Sequence, residues 1–99
     1  MNELLQQRLE LLKMEIAPDG AWIEIGVVAG RRFRQAYWRA QDRIFIGKRN
    51  GQKCRRSYIG EEGSPKHQKA LEALHNRERL RSLDRQIKLL GDGDIDNIL

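Results

Sequence analysis

Apolar residues recur at helical spacing near both ends of the chain and alternate with polar ones between them. Leu5, Leu9, Leu12 and Ile16 repeat at intervals of four, three and four, which places them on one stripe of a helix running from Asn2 to Ile16. Leu4, Leu11 and Met14 widen that apolar surface. Asn2 is a good N-cap, and Glu3 sits in the first turn, where the helix dipole favours an acid. Pro18-Asp19-Gly20 then stops the helix and turns the chain.

From Trp22 to Ile59 the period changes to two, which predicts strands. Trp22 to Val28 is the first, with Ile23, Ile25 and Val27 on one face, and Ala29-Gly30-Arg31 turns the chain. Phe33 to Ala40 is the second, with Phe33 and Tyr37 on one face and Ala36 and Trp38 on the other. After a turn at Gln41-Asp42, Ile44 to Arg49 and Gln52 to Ile59 form two further strands joined by Asn50-Gly51. That dipeptide is the strongest short hairpin signal, because both central positions of a type I′ turn need positive φ. The register it implies sets Lys48 opposite Lys53, Gly47 opposite Cys54, Ile46 opposite Arg55 and Phe45 opposite Arg56. Short turns throughout predict a meander of four antiparallel strands.

Glu61-Glu62-Gly63 leads into a final helix, with Ser64 as N-cap and Pro65 at the favoured first position. Gly91 reads as its stop. A helix from Pro65 to Leu90 would be about 39 Å long at ~1.5 Å per residue, too long for a compact domain of this size. Part of it is therefore expected to project or to pack against another chain. Leu80, Leu83, Ile87 and Leu90 form one stripe and are the expected partner or dimer contacts, while the first turns, with Leu71 and Leu74, are expected to cover the sheet. The expected architecture is α+β, in the order αββββα: one domain over residues 1–91 and a short acidic tail over 92–99.

Composition bounds the class. Apolar residues make up 39% of the chain and charged ones 33%, which implies a thin core under a heavily charged surface. The one cysteine, Cys54, cannot form an intramolecular disulfide and suits a reducing compartment. No apolar run approaches the ~18 residues of a membrane span, and the first residues lack a basic leader, so a cytoplasmic location without membrane association is expected.

The net charge of +5 is moderate, but its distribution is not. Arg31, Arg32, Arg34, Arg39, Arg43, Lys48, Arg49, Lys53, Arg55 and Arg56 crowd into the sheet region with one acid, Asp42, among them. A solvated surface is satisfied by mixed charge, whereas a field of one sign attracts a polyanion. Eight of these ten cations are arginines, whose planar fork suits phosphate oxygens and guanine edges. With Tyr58 they are the candidate nucleic-acid contacts. Tyr37 and Trp38 could also stack on bases if exposed, although Trp22, Phe33, Trp38 and Phe45 are large residues of the kind that more often fill a core.

Catalytic chemistry finds little support. His67 and His75 are eight residues apart on one helix, about 12 Å along its axis, too far to share a metal. Asp92, Asp94 and Asp96 lack the spaced glycine and closing glutamate of a calcium loop. No nucleophile, base and orienting group occur together. Neither an enzyme nor a cofactor or metal site is expected.

The run Arg32 to Arg39, then Ile44-Phe45-Ile46-Gly47-Lys48, then Arg55 to Gly60 followed by a helix, resembles the arm-type DNA-binding domains of tyrosine recombinases. The likeness covers roughly residues 22 to 80 and rests on pattern. It implies a small antiparallel sheet, backed by a helix, that enters the major groove with arginines and aromatics on bases and phosphates. Arg32, Arg34, Arg39, Arg55 and Arg56 would be its contacts. The N-terminal helix departs from that family, and these 99 residues hold no recombinase catalytic domain.

Together these readings predict a small, non-enzymatic accessory or regulatory protein that binds nucleic acid, DNA in preference to RNA, as a homodimer. The alternative is an adaptor or assembly subunit that docks on an acidic protein partner through its long helix.

Overall fold

The computed structural model describes the backbone of residues 2–98 and the side chains of residues 2–91. The elements are α1 (Asn2–Leu12), β1 (Ala21–Gly26), β2 (Gln35–Ala40), β3 (Phe45–Ile46), β4 (Lys53–Cys54), β5 (Arg56–Glu61) and α2 (Pro65–Ile98). The chain is α+β, as the patterning predicts, and it divides into two compact units. Ala17–Glu72 carries the strands and the first two turns of α2; the residues before Ala17 and after Glu72 make a helical unit. No helix among the described residues is long and apolar enough to cross a membrane.

In the sheet unit the four-strand meander is replaced by two sheets. β1, β2 and β5 form one, in that spatial order and antiparallel throughout, while β3 and β4 form a separate two-stranded hairpin. The strand expected over Gln52 to Ile59 is interrupted at Arg55, whose carbonyl accepts a hydrogen bond from the Ala40 amide at 2.9 Å. Its first part pairs with β3 and its second with β2. The hairpin is thus an excursion inserted between two neighbouring strands.

The hairpin register differs from the expected one by two residues: Phe45 lies opposite Cys54 and Ile46 opposite Lys53. A two-residue slip keeps every side chain on its face, so alternation alone cannot detect it. Two physical terms favour the observed pairing. A type I′ turn needs positive φ at Asn50 as well as Gly51, but only Gly51 takes it, at +66°. Asn50 instead uses its side-chain oxygen to accept the Gln52 amide at 3.0 Å, closing a wider loop between Gly47 and Gln52. The slip also removes the repulsion of Lys48 directly opposite Lys53.

One face of the three-stranded sheet packs on α2. Ala36, Ile59 and Ala70 form its buried centre, with Ile23, Ile25 and Trp38 packed around them. The helix meets the sheet with Ala70, while Leu71 is exposed and Leu74 half-buried. This departs from the expectation that leucines cover the sheet; small residues allow helix and strand backbones to come close. A bulge at Ala36/Tyr37 adds Ile59 to β5.

The entry to α2 is tightly specified. Ser64 caps it, its hydroxyl accepting the His67 amide at 3.3 Å, and buried His67 accepts the Gly63 amide on Nδ1 at 2.9 Å. A Cβ on Gly60 would stand 2.9 Å from the Ser64 hydroxyl, so the cap and β5 fit together only with glycine there. The far end of α2 is not where glycine content placed it. Gly91 lacks positive φ and the helix continues through it. The acidic tail expected over residues 92–99 lies outside the residues whose side chains are described.

In the helical unit α1 runs antiparallel to α2, held by Arg8 on Asp84 at 2.7 Å and by the Asn76 side-chain amide donating to the Glu15 carbonyl at 3.1 Å. Leu11 is the buried contact of α1, at 2% exposure, with Leu4 half-buried one heptad earlier. Leu5, Leu9 and Leu12 are exposed, so the inward stripe is not the one that the leucine spacing predicts. The helix also ends at Leu12 rather than Ile16.

Candidate nucleic-acid interface

The sheet face turned away from α2 follows from the register. Trp22, Arg39 and Arg56 lie side by side across β1, β2 and β5, and Glu24, Tyr37 and Tyr58 form the next row. Polar and aromatic residues at these positions alternate with Ile23, Ile25, Ala36 and Trp38, which take the core side. Tyr58 remains 43% exposed and Trp22 likewise.

The aromatic and basic groups here hold one another in place. The Arg56 guanidinium lies 4.9 Å from the centre of the Tyr37 ring, and Tyr37 meets Tyr58 edge to face at 5.4 Å. The Tyr58 hydroxyl donates to Gln35 at 2.6 Å, and Gln35, itself only 1% exposed, donates its amide to the Phe33 carbonyl at 2.7 Å. This is a consequential way to fix an arginine. A carboxylate would orient the guanidinium but cancel its charge; an aromatic face orients it and leaves both charge and N–H edge available.

The hairpin loop completes the site. Tyr37, Arg56, Ser57 and Tyr58 from the sheet, with Ile46, Gly47, Lys48 and Arg49 from the hairpin, enclose a cleft of about 350 Å³. Among the described residues Lys48, Arg49 and Arg56 make no ion pair, so three cations meet at this cleft uncompensated. Arg39 is adjacent to Arg56 and lies 3.4 Å from Glu24, near enough to share charge but without hydrogen-bond geometry at its Nε.

The other basic residues are distributed around this centre. Arg43 sits in the turn after β2, Lys53 is opposite Ile46 in the hairpin, and Arg55 occupies the break before β5. Arg31, Arg32 and Arg34 lie at the opposite end of β2, in the β1–β2 loop. There Arg34 is paired with Glu62 at 2.7 Å, and Arg32 rests over Phe33 at 5.3 Å. The ten cations therefore form two groups separated by the length of a strand. Of the expected partner contacts on α2, Leu83 is buried, Leu80 and Ile87 are half-buried and Leu90 is exposed.

One member of the open face, Trp22, was not among the candidate contacts. The signal was present: Trp22 shares its parity with Glu24, opposite Ile23 and Ile25, which a core residue of β1 would not do. No group of three or more histidine, cysteine, aspartate or glutamate side chains that could hold a metal is found among the described residues. Comparison with protein-family models, curated proteins and solved structures gives no match.

Proposed function

We propose that this protein binds nucleic acid through the open face of its three-stranded sheet, as a non-enzymatic accessory or regulatory protein. One observation carries the reading: an arginine oriented by an aromatic ring stands beside two further cations without ion pairs and an exposed tyrosine. Phosphates account for the unmatched charge, and bases account for exposed rings that a merely solvated surface has no use for. The helix-backed antiparallel sheet is of the coarse kind that the recombinase resemblance implies, and of the contacts it implies Arg56 lines the cleft, with Arg39 beside it across the sheet.

Fluorescence anisotropy with labelled DNA and RNA oligonucleotides at low salt tests the reading. Binding is expected for the native chain. The double variant Lys48→Glu, Arg56→Glu should lose it while keeping the native circular dichroism spectrum, since both side chains are exposed. No binding of either polymer at about 50 mM salt would refute the proposal.

Homodimerisation belongs to the same proposal. Leu5, Leu9 and Leu12 are exposed at coiled-coil spacing on α1, and a second copy against them would give each particle two basic faces. Light scattering should return twice the chain mass, and Leu9→Glu should return it to the single-chain value.

A further inference from the structure

We infer that the cleft between the sheet and the hairpin takes a single unpaired nucleotide, so that the protein prefers single-stranded or looped-out nucleic acid to continuous duplex. This inference rests on the proposed function and assigns the ligand class of the same site.

The shape of the site carries the argument. A duplex is read by something convex, a helix or a two-stranded ribbon laid into the major groove. Here the loop that joins β3 and β4 stands over the sheet and leaves a concavity of about 350 Å³. That volume lies at the small end of the range that encloses a compact organic ligand, ~300–1,000 Å³. The hollow suits one flat ring system with its phosphate, and paired bases cannot enter it while they remain stacked.

The chemistry of the lining agrees with the shape. The face of Tyr37 is already covered by Arg56, so it is not an available platform. Tyr58 is different: its ring is partly exposed, and its hydroxyl is anchored to a buried Gln35. Anchoring restricts the ring before any ligand arrives, which reduces the entropy lost on binding. A base stacked on Tyr58 has its 5′ or 3′ phosphate within the field of Lys48, Arg49 and Arg56, all of which line the same hollow. In paired nucleic acid both faces of an interior base are covered by its neighbours, and only a splayed or terminal base offers one to an aromatic side chain.

The test compares three ligands of one sequence: a single strand, its full duplex, and that duplex carrying one bulged nucleotide. Anisotropy should give tighter binding of the single strand and the bulge than of the duplex. A 2-aminopurine placed at the bulge should change its fluorescence on binding, which reports the base directly. Tyr58→Leu should weaken the single strand and bulge about 5- to 150-fold, the range for loss of one stacked base, and weaken the duplex less. Tyr58→Phe retains the ring and should bind within a few-fold of native, which keeps the test informative if the leucine variant fails to fold. Equal binding of all three ligands, or a silent 2-aminopurine, overturns the inference while nucleic-acid binding itself stands. Failure of all three to bind removes the proposed function as well.

Discussion

Replacing Glu24 with glutamine changes the charge of the open face by one unit without touching a ring. The carboxylate lies 3.4 Å from Arg39, on the row next to Trp22, Arg39 and Arg56. With Lys48, Arg49 and Arg56 as the uncompensated cations at the cleft, three phosphates can be neutralised. For a single strand the logarithm of the binding constant should then fall against log salt with a slope of about −2.1, taking about −0.7 per phosphate. Between about 50 and 200 mM salt that is a loss of about 18-fold. Glu24→Gln frees Arg39 as a fourth contact, steepening the slope to about −2.8 and the loss to about 48-fold. Affinity at low salt should rise, the reverse of what most substitutions do. The pair is partly exposed and lacks hydrogen-bond geometry at Nε, so its removal should cost less than about 1 kcal/mol of stability. A salt titration of both proteins by anisotropy, with urea melts alongside, measures all three quantities. An unchanged slope in a folded variant would show that Arg39 takes no part in binding, and a weaker complex would show that Glu24 supports it.

Two stability predictions follow from the start of α2. Ser64→Ala removes the hydroxyl that caps the His67 amide and should cost about 1 kcal/mol in chemical denaturation. Gly60→Ala brings a methyl group within 2.9 Å of that hydroxyl and should cost about 1–3 kcal/mol. Combining the two relieves the clash, so the double variant should be more stable than the sum of the singles implies; simple additivity would sink this account of the glycine.

What the sequence reveals depends on how local the deciding interaction is. The start of α2 at Ser64-Pro65 and the change from helical to strand period are written in neighbouring residues, and they hold in the structure. The hairpin is harder. Asn50-Gly51 marks a turn correctly, but whether two or four residues close it depends on the φ that Asn50 adopts and on which lysine faces which strand. The break at Arg55 is harder still, because only the spatial position of Ala40 shows that the chain changes partners there. On α1 leucine spacing allows several inward stripes, and long-range pairing of Arg8 with Asp84 selects the one containing Leu11. For the site, charge composition located the basic region. It could not separate Arg31, Arg32 and Arg34 from the cations near the hairpin, since that separation runs along the length of β2. Nor could it show that Arg34 is held by Glu62 whereas Arg56 is held by a ring.

The inserted hairpin has a consequence for how such a scaffold can diversify. Its two stems leave the sheet where Arg39 and Arg56 are already cross-strand neighbours, and the bond from the Ala40 amide to the Arg55 carbonyl closes the gap behind them. Residues 41–54 can therefore lengthen, shorten or change charge while the three strands and their helix keep their alignment, at an entropic penalty that grows only logarithmically with the added length. Grafting a longer basic loop between the same two anchor points would extend the reach of its cations, with the tyrosine platform beneath left undisturbed.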